Sequence, residues 1–364
     1  MKRTAEFVTP KHPDKLADRI ADTILDTYLE LDKDARAAIE VLAGHGELRI
    51  IGEARVGKIS QKELEQIATA AACRFIRQEG LPEPKTATVK IVKQSPEIAA
   101  GVDTGGAGDQ GIMYGFATRE TEATGEYLSL DYCLARSLCE HLYEKWPEDG
   151  KTQITLDGKL ITTIVASFAN APKDELESEI KHWLIKIDGR YPVEPAVPID
   201  ILANPAGDWS QSGWEADTGL TGRKLAVDNY AGACPCGGGA YSGKDPSKTD
   251  RSGAYLARRI ALTILREATR DGADGKTQRP SMVQVHLAYA IGKPLPVDGS
   301  ALIAWPEGTT YCELKDLALF KFDTTPNGII EDLKLREIKY EPTARWGAYG
   351  HPGEFPWEAE NGRG

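Results

Sequence analysis

The sequence GGGAYSGKDPSKTDRS occupies residues 237–252 and places three consecutive glycines ahead of a serine, two lysines and the start of a helix. Glycines let backbone amides come close to phosphate oxygens, because they carry no side chain. The helix, expected from about Ser247 to Thr269, adds free N–H groups and the positive end of its dipole. The stretch therefore predicts a polyphosphate-binding site at a helix start.

Charged side chains strengthen this interpretation. The basic residues in or near the stretch are Lys244, Lys248, Arg251, Arg223 and Lys224. Asp245 and Asp250 supply oxygen donors of the kind that Mg²⁺ prefers. The formal net charge is −11, which disfavours binding to nucleic acid or to an anionic membrane, so an anionic ligand needs a local basic pocket. A glycine-rich turn with a solvated basic face is the less favoured alternative.

A P-loop is the second alternative for the same residues. Gly238-x-x-x-x-Gly243-Lys244 matches most of that motif. A P-loop continues with Ser or Thr, whereas this chain continues with Asp245 and Pro246, and no strong parallel-strand pattern leads into it. A kinase or hydrolase of the P-loop class is therefore the runner-up enzyme.

The rest of the chain repeats one order of elements. An apolar stripe predicts a helix over Pro13–Leu31 with His12 at its cap, and two strands follow between Ala37 and Val56 around Gly44-His45-Gly46. Ser60-x-x-Glu63 is a capping-box signature that opens a second helix, which Gly80 ends. A strand over Thr86–Val92 closes this first round.

Two further rounds follow. The second comprises a helix at Tyr127–Trp146, strands at 152–156 and 159–168, a helix at Lys173–Ile187 and a strand at Ile199–Leu202. The third comprises the helix at 247–269, strands at 283–291 and 301–305, and a helix at Cys312–Phe320. The pattern predicts an α+β fold of three similar α/β-sandwich-like units, with helices against one face of each sheet. The predicted domains are 1–100, 106–211 and 212–353, followed by a frayed tail at 354–364.

Composition sets the broad class. The chain has 364 residues, of which 41% are hydrophobic and 27% charged, as in globular proteins of two or three domains. It has no apolar run long enough to cross a membrane and no secretory signal, so we expect a cytoplasmic protein. The six cysteines are sparse and irregular, which favours free thiols, and Cys234-Pro-Cys236 has no second pair at zinc spacing.

Together these segments resemble the S-adenosylmethionine synthetase (methionine adenosyltransferase) family. The matching strings, in order, are HPDK at 12–15, IIGEA at 50–54, KQSPEI at 93–98, GAGDQG at 106–111, GLTGRK at 219–224, GGGAYSGKDPSK at 237–248 and DRS at 250–252. The resemblance implies three domains about a pseudo-threefold axis. It also implies a homodimer or homotetramer with active sites between subunits, two Mg²⁺ and one K⁺ per site, and ATP and L-methionine as substrates.

The resemblance further implies roles for individual residues. Catalytic roles fall on His12, Lys151, Lys244 and Asp109. ATP would be bound by His12, Asp149, Lys151, Asp208, Trp209, Asp217, Arg223, Lys224, Ala240 and Lys244. Methionine would be bound by Glu53, Gln94, Asp217 and Lys248. Mg²⁺ would be bound by Asp14 and Asp250, and K⁺ by Glu40 and Ser242.

Several positions depart from the family's usual pattern, among them Ala233-Cys234-Pro235-Cys236 before the three glycines. Lys11 replaces the usual Gly before HPDK, Asp208 stands where Arg is usual, and the stretch between Gln94 and Gly106 is shorter than typical. These departures motivate a non-enzymatic alternative, a regulatory nucleotide-binding homologue. His12, Asp14, Lys151 and Asp250 are all present, which favours an active enzyme.

Overall fold

The residues that this computed structural model describes form three four-stranded sheets, each with helices packed on one face, and one short two-stranded sheet. The structure describes residues 2–93, 105–273, 275–317 and 321–359. Gln94 and most of the expected 95–111 loop lie outside these ranges. Within them, no helix combines the length and the apolar character needed to cross a membrane.

In chain order the strands and helices have the following bounds. They are β1 (Lys2–Val8), α1 (Pro13–Leu31), β2 (Arg36–Gly44), β3 (Glu47–Arg55), α2 (Gln61–Gln78), β4 (Thr86–Val92), β5 (Gly111–Thr118), α3 (Leu130–Lys145), β6 (Gly150–Asp157), β7 (Leu160–Phe168), α4 (Lys173–Lys186), β8 (Glu194–Ala203), β9 (Gly219–Leu220), α5 (Leu225–Asp228), α6 (Thr249–Glu267), β10 (Arg270–Asp271), β11 (Thr277–Gln278), β12 (Met282–Tyr289), β13 (Asp298–Trp305), β14 (Gly308–Glu313) and α7 (Pro326–Asp332).

The first sheet, in the order β4-β3-β2-β9, confirms the predicted first round of elements. β2 and β3 form the expected hairpin, and its turn places His45 at φ 54° and Gly46 at φ 84°, both in the left-handed region. The Ser60 capping box is present at the start of α2. This helix then carries the chain across to β4, which pairs in parallel with β3, as a crossover connection requires.

The second sheet repeats this arrangement, with β8 parallel to β7, whereas every pairing in the third sheet is antiparallel. Their orders are β8-β7-β6-β1 and β14-β13-β12-β5, so each sheet has one edge strand from a distant part of the chain: β9, β1 or β5. Each of these strands pairs antiparallel with the first strand of its host sheet. Each unit therefore includes a strand from a distant part of the chain. The domain boundaries at 1–100, 106–211 and 212–353 stay predictions.

The third unit departs from the predicted order at residues 308–316. A helix over Cys312–Phe320 was expected, and that prediction is wrong, because Gly308–Glu313 forms β14 antiparallel to β13. Thr309, Thr310 and Tyr311 belong to residue types that favour a strand. Only a single 3₁₀ turn follows at Leu314–Asp316, and residues 318–320 lie outside the described ranges.

The prediction of a frayed tail at 354–364 is also wrong for residues 354–359, which the structure describes. Trp357 is fully buried, with its ring stacked on Tyr255 at a centroid distance of 3.7 Å. Glu358 is equally buried and accepts a hydrogen bond from Arg258 Nε at 2.9 Å. An aromatic ring and a paired charge therefore fasten this segment to α6, whereas residues 360–364 lie outside the described ranges.

A ladder of four aspartates on α1 fastens the first unit to the C-terminal third of the chain. The spacing of four residues places all four carboxylates on one helix face. Each accepts a backbone N–H: Leu220 to Asp14 at 3.0 Å, Gly222 to Asp18 at 2.9 Å, Gly243 to Asp22 at 2.8 Å and Tyr340 to Asp26 at 2.7 Å. The ladder therefore holds the 219–224 segment beside the first two turns of α1, next to His12, and the 242–244 segment beside the middle of the helix.

Candidate active site

His12 caps the N-terminus of α1 and is buried there. Its Nδ1 accepts a hydrogen bond from the backbone N–H of Asp14 at 3.2 Å, which leaves the ring proton on Nε2. Burial lowers the pKa of His12 to about 3, and the nearby Lys224 and Lys151 ammonium groups act in the same direction. The imidazole is therefore a neutral hydrogen-bond donor at physiological pH.

This low pKa makes a testable contribution to the free energy of unfolding. In the unfolded chain His12 takes up a proton near its ordinary pKa of about 6.5, whereas the folded ring does not, so the folded state loses stability as the pH falls from about 6.5 towards 3. His12→Asn keeps a good capping side chain that does not titrate. Between pH 7 and 5.5 we expect the wild type to lose about 1 kcal/mol relative to His12→Asn in urea unfolding. Parallel pH profiles for the two proteins would contradict this account of His12.

Asp14 lies beside His12 and stays ionised. Its Oδ2 accepts a hydrogen bond from Lys224 Nζ at 2.6 Å, and Arg223 Nε lies 3.8 Å from its Oδ1. Burial by itself would raise the pKa of Asp14, but the hydrogen bonds from Lys224 and from the Leu220 backbone outweigh burial and lower the pKa.

Asp149, Lys151 and Asp217 complete this set. Thr9 N–H donates to the carbonyl of Gly150 at 2.9 Å, which places the start of β6 next to the approach to α1. Burial raises the pKa of Asp149 to about 6, with Lys151 acting to lower it and Asp217 to raise it. We call this set the His12 group: His12, Asp14, Asp149, Lys151, Asp217, Arg223 and Lys224.

A second cationic set forms at the glycine-rich loop. Lys244 Nζ lies 2.5 Å from Asp250 Oδ2, and Gly239 N–H donates to Asp250 Oδ1 at 2.9 Å. A Cβ on Gly239 would lie 2.8 Å from Lys244 Nζ, so a side chain there would displace the lysine ammonium from this position. We call this set the Lys244 group: Gly239, Ala240, Lys244 and Asp250. Within one chain, the glycine-rich loop packs against the segment that carries Arg223 and Lys224. A Cβ on Gly222 would lie only 2.5 Å from the Cβ of Ala240.

The other predicted residues are placed less centrally. Asp109 is exposed, and its carboxylate accepts a hydrogen bond from the backbone N–H of Gln110 at 2.7 Å. It lies two residues before Gly111, and Gly111 lies close to the carboxylate of Asp250. Glu53 is exposed on β3, opposite Ala38, which in turn bridges to Lys244.

Of the predicted methionine-binding residues, Gln94 lies outside the described ranges. Lys248 Nζ contacts Asp245 Oδ2 at 2.5 Å. Asp217 belongs to the His12 group, and no contact within the described residues joins it to Glu53 or Lys248. The structure therefore leaves this set divided within one chain.

The two predicted potassium ligands are brought together. The carbonyl of Gly243 accepts the N–H of Ile39 at 3.1 Å, so buried Ser242 lies alongside exposed Glu40. Glu40 Oε2 accepts a hydrogen bond from the hydroxyl of Thr221.

Trp209 and Asp208 line a cavity of about 310 Å³ next to the His12 group. Its other lining residues are Asn170, Ala171, Pro172 and Ser210. Asn170 N–H donates to the carbonyl of Trp209 at 2.8 Å, and Ala169 N–H donates to the carbonyl of Asp149 at 3.0 Å. The cavity wall is thereby tied through the backbone to Asp149.

Two charges predicted for the phosphate site serve other purposes. Arg251 is fully buried and donates to both oxygens of Asp22, at 2.9 and 2.7 Å, so its assignment as a phosphate-binding cation is wrong. Asp245 was considered as a Mg²⁺ ligand, but it is buried and accepts hydrogen bonds from Ala37 N, Ser247 N and Lys248 Nζ. Its oxygens are therefore already engaged by donors of the protein.

The P-loop alternative is contradicted by the chain before Gly238. That motif needs a parallel strand that leads into the loop. Within the described residues, the preceding element is the single turn α5, and irregular chain runs from Asn229 to Lys248.

Sequence reasoning missed the buried charges behind the His12 group. Lys15 is fully buried and forms ion pairs with Asp18, at 3.1 Å, and with Asp228. The available signal was the regular four-residue spacing of Asp14, Asp18, Asp22 and Asp26. Such a stripe, placed beside the apolar residues of the same helix, indicates buried acceptors that need donors from another segment.

Comparisons with known proteins agree along the whole chain. Three family models match: the N-terminal domain of S-adenosylmethionine synthetase over residues 1–95, its central domain over 104–209 and its C-terminal domain over 212–359. The S-adenosylmethionine synthases of Helicobacter hepaticus and Thermus thermophilus are 37% and 38% identical to this chain. Each alignment covers 98% of this chain, and 94% and 95% of the respective relative.

A solved structure gives the same result for the fold. It is described as an unusual S-adenosylmethionine synthetase from Campylobacter jejuni, is 32% identical and matches with a TM-score of 0.77. The match covers 98% of this chain and 96% of the other. Taken with the three domain models and the full-length relatives, this places the chain in the S-adenosylmethionine synthetase family.

Proposed function

We propose that this protein makes S-adenosylmethionine from ATP and L-methionine by attack of the methionine sulfur on ribose C5′. The triphosphate that leaves is then hydrolysed to pyrophosphate and phosphate. The observation that carries the proposal is that the fold presents two cationic groups in an acidic protein, one around neutral His12 and one around Lys244 at a glycine-rich loop. Family membership supports the same reaction.

The reaction needs no catalytic group at the sulfur, but it needs charge stabilisation at the leaving triphosphate. A thioether has no proton to lose, so its attack needs no general base. The departing triphosphate gains charge on its bridging oxygen, and preorganised donors stabilise such charge. His12 Nε2–H and the Lys151 ammonium would donate to that oxygen. Arg223, Lys224 and Lys244 would hold the remaining phosphate oxygens.

The rest of the proposed ATP site surrounds this centre. Trp209 would stack on the base, with Asp208 beside it. Asp149, Asp217 and Ala240 would border the ribose and the phosphates, and Asp109 would act from the 106–111 segment. Methionine would be held by Glu53, Gln94, Asp217 and Lys248.

The acidic residues present fit magnesium. Asp14 and Asp250 each accept a backbone N–H on one oxygen and a lysine ammonium on the other, so a bound Mg²⁺ would take the place of the Lys224 and Lys244 ammonium groups at these carboxylates. Within the described ranges no three His, Cys, Asp or Glu side chains converge in a way that could hold a metal. Proteins usually bind Mg²⁺ through one or two carboxylates, and substrate phosphates and water supply the other ligands. We therefore propose two Mg²⁺ per site, which would neutralise phosphate charge when bound.

A monovalent cation fits the second acidic position. Glu40 and Ser242 offer a carboxylate and a hydroxyl oxygen on adjacent segments. We propose that they bind one K⁺, which would fix the Gly243–Lys244 turn against β2.

The outer faces of the sheets support an oligomer with shared active sites. Leu42, Ile51 and Val92 are exposed on the first sheet at 39%, 57% and 39%, beside Glu53. Apolar residues are also exposed on the outer faces of the other two sheets, Leu160 and Leu202 on one and Ile112 and Tyr311 on the other. We propose a homodimer or homotetramer in which the His12 group of one subunit faces the Lys244 group of its partner. No partner nucleic acid or membrane is expected for so acidic a chain, and a cytoplasmic location stays a prediction.

Mixing two inactive variants tests this sharing. His12→Ala and Lys244→Met damage different groups, so a dimer with one copy of each has one doubly damaged site and one intact site. After random exchange of a 1:1 mixture we expect about a quarter of wild-type activity, because half of the dimers are mixed and each has one working site of two. Activity no higher than that of the separate variants would contradict shared sites.

Product analysis tests the reaction itself. The purified protein is incubated with ATP, L-methionine, Mg²⁺ and K⁺, and the products are identified by mass spectrometry and phosphate assays. We expect S-adenosylmethionine, pyrophosphate and phosphate in equal amounts. Conversion of ATP to ADP alone would favour a kinase or hydrolase, and binding without turnover would favour a regulatory homologue.

A further inference from the structure

We infer that Lys15 is a positioning residue: it fixes the backbone on both sides of Arg223 and Lys224, so that these two side chains are placed for a triphosphate before it binds. Lys15 is fully buried, so it acts through other residues and not on the ligand itself. The inference rests on the proposed function, and it assigns a purpose to three buried charges that the proposed reaction does not use.

Arg223 and Lys224 lie between two very short elements. The strand β9 before them has 2 residues, and the helix α5 after them has 4. Elements of this length are not stable without tertiary contacts. The Arg223 side chain is also 56% exposed, so packing does little to hold it. The positions of both cations therefore depend on how their backbone is anchored.

Lys15 reaches an anchor on each side of this segment. On the N-terminal side its Nζ lies 3.1 Å from Asp18 Oδ2, and Asp18 Oδ1 accepts the backbone N–H of Gly222 at 2.9 Å. On the C-terminal side its Nζ donates a hydrogen bond to Asp228, the last residue of α5. We call Lys15, Asp18 and Asp228 the Lys15 bracket. One ammonium group thus ties both ends of the segment to α1.

The Lys15 bracket is better suited to fixing positions than to adding stability. Its three side chains are buried. Because the desolvation of buried charges offsets most of their attraction, apolar side chains of similar size would stabilise the fold about as well. Burial raises the pKa of Asp18 to about 7, with Lys15 acting to lower it and Asp228 to raise it. Asp18 and Asp228 therefore repel each other, and the ammonium between them holds their two segments together.

The bracket matters most when the site is occupied. In the structure Lys224 Nζ donates to Asp14 Oδ2 at 2.6 Å, and Asp14 is the carboxylate proposed for Mg²⁺. A Lys224 side chain that turns to phosphate gives up this contact, so its position then depends on the anchored backbone. A displacement of about 1 Å at a group that holds the substrate can cost about a hundredfold in rate. Opening the bracket should therefore weaken the binding of triphosphate.

Two variants open the bracket from opposite sides without leaving an unpaired charge in the interior. Asp228→Ala removes the C-terminal anchor, and Lys15 keeps Asp18 as its partner. Asp18→Asn weakens the N-terminal anchor. Its amide oxygen can still accept the N–H of Gly222, but the amide does not attract the ammonium, which keeps Asp228.

Glu358→Gln is the matched control for the loss of one buried charge. Glu358 is fully buried and accepts hydrogen bonds from Arg258 and from the backbone N–H of Gly350, neither of which belongs to the proposed site. The control leaves Arg258 without its charged partner, so we expect it to destabilise the fold at least as much as the two bracket variants.

The experiment titrates wild type and the three variants with diimidotriphosphate and Mg²⁺ in a calorimeter, after circular dichroism has shown that each is folded. This probe is a triphosphate whose two bridging oxygens are replaced by NH, so it resists hydrolysis. We expect Asp228→Ala and Asp18→Asn to raise the dissociation constant by about tenfold or more at unchanged stoichiometry, because the cations are displaced in every molecule. A purely structural role would lower the number of binding sites and leave the dissociation constant as in wild type, as we expect for Glu358→Gln.

An unchanged dissociation constant in either bracket variant, or an equal rise in Glu358→Gln, would overturn the inference. If one bracket variant does not fold, the other decides. If wild type itself binds no diimidotriphosphate and makes no S-adenosylmethionine, the proposed function fails and the inference with it. That outcome is distinguishable from a failure confined to the variants.

Discussion

Replacing Lys244 by Met is expected to lower kcat for S-adenosylmethionine formation by about a hundredfold to a thousandfold, the range found when one charge-stabilising donor is removed. Lys244 Nζ has a fixed position, because it donates a hydrogen bond to Asp250 Oδ2 and Gly239 leaves the space beside it free. A preorganised ammonium contributes most as charge develops on the leaving triphosphate, so kcat should fall more than KM rises.

The control for this variant is Lys62→Met, which removes one positive charge from an exposed position on α2. We expect its steady-state kinetics to match those of wild type. Initial rates at several ATP concentrations separate kcat from KM. Full activity of Lys244→Met would show that the glycine-rich loop does not hold the leaving group.

The second large effect concerns stability. Arg251→Met is expected to lower the free energy of unfolding by about 3–5 kcal/mol, because it leaves the carboxylate of Asp22 buried without its guanidinium partner. Both side chains are fully buried, and Arg251 also lies 4.5 Å from the ring centre of Tyr340. Asp22 additionally holds Gly243 N–H, so the variant should disturb the turn that carries Lys244.

Two further variants identify the cause. Arg49→Met removes an exposed arginine paired with Glu47 and should change stability by less than about 1 kcal/mol. Asp22→Asn added to Arg251→Met removes the unpaired charge and should recover part of the loss. Chemical unfolding monitored by circular dichroism measures all three. A loss below about 1 kcal/mol in Arg251→Met would contradict a dependence on this buried pair.

Local patterns predicted the elements that short-range physics determines. The apolar stripe and the His12 cap gave α1, and Gly44-His45-Gly46 gave the β2–β3 hairpin, because these signals lie within a few residues of each other. The strands β1 and β5 were missed because they complete sheets whose other strands come later in the chain. Nothing in their own residues indicates which distant edge will pair with them.

For the candidate site, too, the sequence predicted part of the arrangement and missed the rest. Motifs predicted which segments carry the chemistry, including His12, Lys224 and Lys244. They did not predict which carboxylate each cation contacts, and they placed Arg251 in the phosphate site, although it pairs with Asp22 from another segment. Pairing depends on the aspartate ladder of α1, and only the folded arrangement shows which donor each carboxylate receives.

The central claim is that the two cationic groups hold the triphosphate while the C5′–O bond breaks, before any phosphate–phosphate bond is cleaved. The most direct measurement is a single-turnover reaction with methionine, Mg²⁺, K⁺ and an ATP analogue whose β–γ bridging oxygen is replaced by NH, followed by mass spectrometry. The account predicts S-adenosylmethionine together with an intact imidotriphosphate, since displacement at C5′ does not involve the altered bridge. Failure to form S-adenosylmethionine, or its appearance only with cleaved imidotriphosphate, would contradict the account.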